Sequence, residues 1–321
     1  LTPHESLRLN QKRGLLAAVS GNLMFAPGIV DIYDLSEDCL NPVLQSSTPT
    51  GVLGHESGMS LDGNTYYVGS SGGTTVIALD ITNPLLPVPI WTGNFSAHGM
   101  EVSDDGNRLY ISAVRANGFS TPELIILDVS EIQARVLNPT VTEISRLEWT
   151  PVSIPQLAVP FTNNGHKYLL ETDEFGGGNE VGAARIINID DETTPVEISN
   201  LRLEVHDPQH FDEIGNDPGA TTPAQGYGAH YCNIPTRDNP KITACSMILS
   251  GLRIFDISDP HQPREVAYFN APQSERITPL FVTSSWAMSG AAFVPERKEI
   301  WYSDGYSGLH VVQVTNDAWP D

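Results

Sequence analysis

The chain has 321 residues, of which 17 are lysine or arginine and 39 are aspartate or glutamate, so its formal net charge is −22. This charge argues against nucleic acid and anionic membranes as partners, because both attract lysine and arginine and repel carboxylates. Hydrophobic residues make up 40% of the chain, too many for a disordered protein, and no apolar run approaches the roughly 20 residues of a membrane span.

In chain order, one strand pattern recurs six times, and each copy is an apolar run that ends in a polar residue beside a turn. The clearest copy, Gly251–Pro260, reads Gly-Leu-Arg-Ile-Phe-Asp-Ile-Ser-Asp-Pro. The aligned polar positions are Asp34, Asp80, Asp128, Asn188, Asp256 and Gln313, with separations of 46, 48, 60, 68 and 57 residues. A second apolar run precedes each copy, at Leu15–Val19, Tyr66–Gly69, Leu109–Ala113, Tyr168–Glu171, Thr243–Ile248 and Ile300–Ser303. This period is near the ~40–50 residues of one propeller blade and predicts an all-β fold, a six-bladed β-propeller.

The repeat resembles that of the LVIVD-repeat family of β-propellers, whose signature strand corresponds here to Leu252–Ile257 and Val76–Ile81. The resemblance covers nearly the whole chain and implies a single propeller domain over residues 1–321. It implies no particular activity, because members of the family have been assigned very different roles and propellers host both enzymes and docking platforms. The chain begins in the inner strand of the first blade, so a seventh blade is the alternative if residues are missing before residue 1. The repeated aspartates are expected to cap turns, which is a scaffold role.

Four of the nine histidines fall at one position of the repeat. His55 and His98 each stand eight residues before a turn glycine, and His4 repeats the surroundings of His55. His230 begins the first strand of the fifth blade. Because the first strand of each blade lines the central channel, these side chains are expected to form a ring at one channel mouth. Imidazole binds zinc, copper and iron, so the ring predicts one transition-metal ion, with a purely structural hydrogen-bonding role as the alternative.

The loop after the second strand of blade four is the densest acidic loop on the same face, and it carries Glu171, Asp173 and Glu174. We expect Glu171 or Asp173 to approach His230, so that a carboxylate and an imidazole act together as catalytic groups. Further carboxylates that follow the ring histidines closely, and are candidates for fixing their tautomers, are Glu5, Glu56 and Glu101.

The longest stretch of low hydrophobicity, residues 204–228, joins blade four to blade five. It is predicted to be an inserted loop over the channel mouth, either a lid or an ordinary surface loop. Candidate substrate contacts are His210 in this loop and the aromatic side chains of Tyr231 and Trp286. Together with Phe175 and Phe211 they indicate a small, partly apolar ligand.

Three functions are compatible with these patterns. The first is a metal-dependent oxidoreductase or oxygenase, since the histidine ring is similar in plan to the iron site of the carotenoid-cleaving oxygenases and to the copper site of the propeller methanethiol oxidases. The second is a metal-free or divalent-metal lyase, isomerase or hydrolase with a histidine as general base. The third is a non-catalytic exported scaffold that binds protein or glycan.

The three cysteines bear on the compartment. Cys232 and Cys245 lie in apolar segments joined by the turn-rich Pro235–Pro240, and a hairpin there would let them form a disulfide. Two buried thiols are the alternative, and Cys39 is expected to be free in either case. The chain starts at Leu1 rather than at Met, for which a cleaved export signal is one reason. These features favour an extracellular or periplasmic protein.

Overall fold

The computed structural model describes residues 5–21, 28–50, 52–70, 73–114, 121–149, 153–174, 182–210, 226–272 and 285–319. Strands dominate these ranges. They also contain a four-residue helix, α1 (Ser130–Gln133), and short 3-10 turns at Glu204–His206, Pro208–His210 and Pro295–Arg297. Six antiparallel sheets follow one another along the chain, one for each repeat. This confirms the predicted all-β class, a six-bladed β-propeller.

The chain divides into two compact units, Leu1–Glu148 and Trp149–Asp321. The first unit holds three four-stranded sheets, each with its strands paired in chain order. The first sheet consists of β1 (Arg8–Asn10), β2 (Leu15–Val19), β3 (Ile29–Asp34) and β4 (Val43–Pro49). The second consists of β5 (Ser57–Met59), β6 (Thr65–Gly69), β7 (Thr75–Asp80) and β8 (Val88–Asn94). The third consists of β9 (Gly99–Val102), β10 (Arg108–Val114), β11 (Pro122–Asp128) and β12 (Thr142–Glu148).

The second unit holds the other three sheets. The fourth sheet consists of β13 (Ile154–Asn163), β14 (His166–Glu174), β15 (Ala184–Asn188) and β16 (Val196–Leu201). The fifth consists of β17 (Tyr231–Asn233), β18 (Ile242–Ser246), β19 (Leu252–Asp256) and β20 (Arg264–Phe269). The sixth has three strands among the described residues, β21 (Ala292–Val294), β22 (Glu299–Asp304) and β23 (Gly308–Gln313).

The position of a strand within its sheet decides how much of it is buried. The second strand β6 is buried along its whole length, and the third strand β11 is buried from Pro122 to Leu127. The fourth strands β4, β8 and β12 instead share one pattern in which exposed and half-buried residues alternate near their ends. Continuous apolar runs therefore mark the middle strands, because both of their faces pack against protein, and mixed sequences mark the outer strands.

The repeated aspartate closes a turn in four of the repeats. Its carboxylate accepts the backbone N–H of the residue two positions later: Ser36 to Asp34 (2.8 Å), Thr82 to Asp80 (2.8 Å), Ser130 to Asp128 (2.9 Å) and Ser258 to Asp256 (2.9 Å). Such an Asx turn satisfies a backbone donor just where the strand ends. These aspartates therefore serve the scaffold.

The predicted disulfide is confirmed. Cys232 on β17 lies directly opposite Cys245 on β18, and the two side chains are bonded to each other. Cys39 is exposed and free. The disulfide joins the first two strands of the fifth sheet immediately beside His230.

Most of the predicted inserted loop falls outside the described residues, which resume at Gly226. Its described beginning forms the two short 3-10 turns at Glu204–His206 and Pro208–His210. A role as a lid stays a prediction. No helix in the described ranges is both long and apolar enough to cross a membrane.

Candidate functional site

His230 lies between three neighbouring segments of the second unit. Its backbone N–H donates to the carbonyl of Ser246 (2.9 Å), which fixes the residue at the start of the fifth sheet. Its ring Nδ1 lies 2.5 Å from the carbonyl oxygen of Met288, and its Nε2 lies 3.0 Å from a carboxylate oxygen of Glu174. The side chain is only 2% exposed. Because a carbonyl oxygen can only accept, Nδ1 carries the hydrogen, and Nε2 faces the carboxylate.

Nε2 of His230 and a carboxylate oxygen of Glu174 are 3.0 Å apart, a distance at which one proton can pass between them. If Nε2 is protonated, the pair is an imidazolium beside a carboxylate, and if it is not, the proton belongs to the carboxyl group. Both side chains are buried, at 2% and 7% exposure, so water competes little for this proton. When the shared position is empty the pair can accept a proton from a bound molecule, and when it is filled the pair can return the proton.

The surroundings of His230 fix its orientation. The Tyr231 ring meets the imidazole edge to face, with the ring centroids 4.6 Å apart. The Tyr231 hydroxyl accepts a hydrogen bond from Nε2 of Gln156 (2.6 Å), which belongs to β13. On the other side, Glu174 ends β14 and forms a parallel bridge with Ala229. Three strands thus set the positions of the imidazole and its carboxylate.

Glu171 and Asp173 lie on the other face of β14, where they bind Arg185. Arg185 Nε donates to Glu171 (3.0 Å), and a second guanidinium nitrogen donates to Asp173. Asp173 also accepts hydrogen bonds from the Trp149 indole (2.9 Å) and from the Ser153 hydroxyl (2.6 Å). Burial, and next the charge of Asp173, raise the pKa of Glu171 well above its ordinary value despite the nearby guanidinium.

The sequence predicted Glu171 or Asp173 as the partner of His230, and the structure places Glu174 there. Successive side chains of a strand point to opposite faces, so residues 171 and 173 share one face and residue 174 takes the other. The catalytic roles of Glu171 and Asp173 stay predictions, and their contacts with Arg185 give both residues a structural role. Counting strand alternation from the buried Leu170 would have separated the two faces.

His55 and His98 lie together in the first unit. Their rings stack with centroids 4.3 Å apart and an angle of 27° between the ring planes. Nε2 of His55 lies 3.5 Å from a carboxylate oxygen of Glu5. Two of the predicted ring histidines are therefore in direct contact, with one of the predicted carboxylates beside them.

Three of the histidines occupy the same backbone position in their own sheets. Backbone hydrogen bonds run from His55 to Gly69 (3.1 Å), from His98 to Ser112 (2.9 Å) and from His230 to Ser246 (2.9 Å). Each accepting residue is in turn paired with a residue of the third strand, and that residue stands four positions before the repeat aspartate in every case. The convergence of all four histidines stays a prediction, since His4 lies outside the described residues and the other three are divided between the two units.

Glu56 and Glu101 bind an arginine of the first sheet. The Arg8 guanidinium lies 3.2 Å from Glu56 and 3.1 Å from Glu101, and it donates to the carbonyl oxygens of Ser57 (2.7 Å) and Met100 (3.0 Å). Arg8 thereby ties the inner strands of three successive sheets together. Of the three predicted tautomer-fixing carboxylates, Glu5 is the one placed against an imidazole by these contacts.

Within the described ranges, no group of three or more histidine, cysteine, aspartate and glutamate side chains is arranged to hold a metal ion. His4, one of the four predicted ligands, is not among those residues. The predicted iron, copper or zinc ion therefore stays a prediction.

The other predicted substrate contacts lie in different surroundings. The backbone N–H of Trp286 donates to Asp304 (2.5 Å), and the indole packs on Tyr306 with ring centroids 5.1 Å apart. His210 Nε2 lies 3.8 Å from a carboxylate oxygen of the exposed Glu204. Phe175 and Phe211 lie outside the described residues. A role of these side chains in substrate binding stays a prediction.

The chain is similar in structure to several solved propellers. It matches the periplasmic gluconolactonase of Pseudomonas aeruginosa with a TM-score of 0.69 and 15% identity, over 98% of this chain and 82% of that chain. It matches the Kuenenia stuttgartiensis hydrazine synthase with a TM-score of 0.67 and 14% identity, over 99% of this chain and 85% of that chain. It matches a putative 6-phosphogluconolactonase from Bacteroides fragilis with a TM-score of 0.60 and 13% identity, over 97% of this chain and 84% of that chain.

At these identities the similarity supports the propeller fold and leaves the function open. No family model matches the chain, and no curated protein matches it. The resemblance to the LVIVD-repeat family stays an interpretation of the repeat.

Proposed function

We propose that the protein is a hydrolase that opens a lactone or a related ester, with His230 and Glu174 as its proton-transfer groups. The observation that carries the proposal is the position of His230, whose Nδ1 faces the Met288 carbonyl at 2.5 Å and whose Nε2 faces Glu174 at 3.0 Å. An imidazole held in one tautomer beside a carboxylate is a common proton-transfer arrangement in enzymes. The names of two similar structures, a gluconolactonase and a putative 6-phosphogluconolactonase, support the choice of substrate class.

The proposed reaction needs only water and the ester. The oxygen of a water molecule attacks the carbonyl carbon and forms the new C–O bond, while the pair of His230 and Glu174 takes the proton that the water loses. When the tetrahedral intermediate collapses, the original ester C–O bond breaks and the same proton passes to the leaving oxygen. The product is a hydroxy acid, and the pair returns to its starting state.

The proposal is tested by titrating acid release from a panel of sugar-acid lactones and simple esters. Glu174→Gln keeps the shape of the side chain and removes its basicity, so we expect kcat to fall by about 10²–10⁴-fold, the usual contribution of a proton-transfer group. Glu37→Gln is the matched control, because Glu37 is exposed and lies in the turn after the third strand of the first sheet, outside the second unit that holds the pair. We expect the control to keep full activity.

Circular dichroism and thermal unfolding establish that each variant is folded. Hydrolysis by wild-type protein that survives Glu174→Gln unchanged would remove the pair from the mechanism. A folded wild-type protein that hydrolyses no member of the panel would rule out the lactone class.

A metal-dependent oxidoreductase is the second candidate, and a different observation favours it. The rings of His55 and His98 stack with centroids 4.3 Å apart, and a carboxylate oxygen of Glu5 lies 3.5 Å from His55 Nε2, so two imidazoles and a carboxylate lie close together. Elemental analysis of protein purified without chelators tests this candidate. About one equivalent of iron, copper or zinc, lost in His98→Ala, is the expected result, and a metal content near zero in folded wild-type protein contradicts it.

We also propose that the protein works outside the cytoplasm. The disulfide between Cys232 and Cys245 supports this, because disulfides persist mainly in oxidising compartments. The periplasmic gluconolactonase among the similar structures is compatible with it. Detecting the oxidised protein in the cytoplasmic fraction alone would contradict the proposal.

A further inference from the structure

Arg202 follows the last strand of the fourth sheet and differs from Arg185, the buried arginine of that sheet, in having no carboxylate partner among the described residues. Its Nη1 atom is buried and has no hydrogen-bond partner in the described part of the chain. Arg185, on the neighbouring strand β15, is 4% exposed and is bound by Glu171, Asp173 and Glu197. A guanidinium stays charged at neutral pH, and a buried charge without a partner is unfavourable. In the part of the chain that the structure describes, no carboxylate meets the Nη1 atom of Arg202.

The local charges make the position of Arg202 more unusual. Burial, and next the charge of Arg185, lower the pKa of Arg202, while Asp173, Glu197 and Glu171 act in the opposite direction without contacting it. Those carboxylates are already engaged by Arg185. Arg202 therefore has a second cation beside it, and the three carboxylates act on it from a distance rather than through direct contact.

The segment that carries Arg202 is held in place. The neighbouring Leu203 donates its backbone N–H to Nδ1 of His206 (3.1 Å), and Nε2 of His206 lies 2.9 Å from the carbonyl oxygen of Tyr227. The carbonyl requires a hydrogen on Nε2, so His206 is neutral and both of its ring nitrogens are satisfied. This clamp fixes the backbone beside Arg202, as a preorganised binding site requires.

We propose that Arg202 binds an oxyanion, a carboxylate or phosphate group of a small molecule. The planar guanidinium presents paired donors that match two oxygens of such a group. The residue as a whole is half-buried, so the described residues do not enclose it completely. Binding of the anion supplies the missing counter-charge.

The position of Arg202 relates this site to the pair of His230 and Glu174. Leu201 pairs with Ala184, and Ala184 pairs with Thr172, so Arg202 stands at the end of the sheet where β14 reaches Glu174. The strands β14 and β16 are two strand spacings apart, about 10 Å. If the proposed hydrolase function holds, on which this step rests, Arg202 holds the anionic end of a sugar-acid substrate whose ester lies near Glu174.

The anion site is tested by thermal unfolding and calorimetric titration with inorganic phosphate and with acetate, at ionic strength held constant with sodium chloride. Wild-type protein should gain thermal stability with phosphate or acetate and should bind it, and Arg202→Met should bind at least about tenfold more weakly. In the absence of any anion but chloride, Arg202→Met should be at least as stable as wild type, because it removes an unpaired buried charge.

Two further variants keep the test decisive. Arg264→Met is the control, since the Arg264 side chain is 74% exposed, and it should respond to phosphate as wild type does. Arg202→Lys keeps the charge and loses the paired donors, so it should also bind phosphate more weakly than wild type. It takes the place of Arg202→Met if that variant does not fold. No anion-dependent gain in wild type beyond that of sodium chloride, or equal binding by the Arg202 variants, overturns the site.

The outcomes for the site and for the hydrolase are separable. Anion binding that is lost in Arg202→Met, in a protein that hydrolyses no lactone, keeps the anion site and rejects the hydrolase. Lactone hydrolysis whose KM for an anionic lactone does not change in Arg202→Met keeps the hydrolase and removes Arg202 from substrate binding. A rise in KM of tenfold or more for an anionic lactone, with an unchanged KM for a neutral one, supports both.

Discussion

Among the described residues, Arg185 is the cation that binds three carboxylates of the fourth sheet. Glu171 and Asp173 are 0% and 1% exposed, and Glu197 completes the group from β16. Removing the guanidinium leaves two buried carboxylates without their counter-charge. We expect Arg185→Met to lower the free energy of unfolding by about 3–5 kcal/mol, measured by urea unfolding.

The exposed Arg264→Met serves as control here as well, and we expect its effect to stay within about 0.5 kcal/mol because solvent screens the pair that it loses. A loss of less than about 1 kcal/mol in Arg185→Met would contradict a structural role for this group.

His206 gives stability a defined dependence on pH. Burial, together with the charges of Arg202 and Arg253, lowers the pKa of His206 to about 4, against a hydrogen bond to the Tyr227 carbonyl that acts in the other direction. The unfolded chain then binds more protons than the folded one between pH 6.5 and 4. The contribution of His206 is therefore complete above pH 6.5 and is lost as the pH falls toward 4, by roughly 3 kcal/mol in total.

The measurement is the free energy of unfolding of wild type and of His206→Gln at pH 7.5 and at pH 4.5. Comparing the two proteins removes the contributions of other groups, including Glu171, whose raised pKa has the opposite effect. We expect the loss of stability on acidification to be smaller in His206→Gln. Equal losses in both proteins would show that His206 is not a buried neutral imidazole.

At the scale of residues, the sequence located one member of the proposed catalytic pair and missed the other. The repeat register placed His230 at the start of the fifth sheet, because backbone position follows from the period of the repeat. It could not identify Glu174, because the choice among residues 171, 173 and 174 depends on which face of β14 meets the next sheet. The contact with the Met288 carbonyl could not be predicted from the sequence, because every residue has a backbone carbonyl and its residue type does not show what that carbonyl binds.

At the scale of elements, the fifth sheet depends on its disulfide. Cys232 and Cys245 are separated by 13 residues, and a cross-link over such a loop restricts the unfolded chain by about 3 kcal/mol in the chain-entropy model. We expect the double variant Cys232→Ala/Cys245→Ala to lose about 2–4 kcal/mol of unfolding free energy, measured by urea unfolding without reductant.

Cys39→Ser is the matched control, because Cys39 is exposed and free, and it should leave stability unchanged. Mass spectrometry of the unreduced wild-type protein establishes the pairing. Three free thiols, or a double variant as stable as wild type, would contradict the account of this sheet.

The positions of the second and third strands could be predicted because each repeat contains two independent sequence features. An apolar run marks the second strand, as at Leu15–Val19, which is β2, and at Tyr66–Gly69, which lies within β6. The terminal aspartate marks the end of the third strand, as at Asp80 and Asp256.

A regular break in strand pairing was not predicted from the repeat. In all five four-stranded sheets the pairing register between the third and fourth strands is broken at the same place. The break lies between the residues two positions and one position before the repeat's polar residue. Each shift leaves one unpaired residue in the fourth strand, and the repeat was aligned on the second and third strands, so the alignment did not locate it.

At the scale of the whole molecule, the number of blades followed from the number of repeats, and six sheets follow six copies. Function does not follow in the same way, because the propeller fold hosts unrelated activities. The similar structures illustrate this, since they include a gluconolactonase and a hydrazine synthase at 15% and 14% identity. The candidate functions therefore differ in whether a few imidazole nitrogens carry a proton or bind a metal ion.

The central claim is that His230 is a proton-transfer group held between Met288 and Glu174. Long-range proton–nitrogen NMR of histidine-labelled protein tests it most directly, with the His230 signals assigned from their absence in His230→Asn. We predict an Nδ1 that carries a hydrogen, and an Nε2 whose shift moves in Glu174→Gln but does not change on treatment with a chelator or on addition of zinc. An Nδ1 without its hydrogen, or a ring whose shifts follow the metal, would contradict the account.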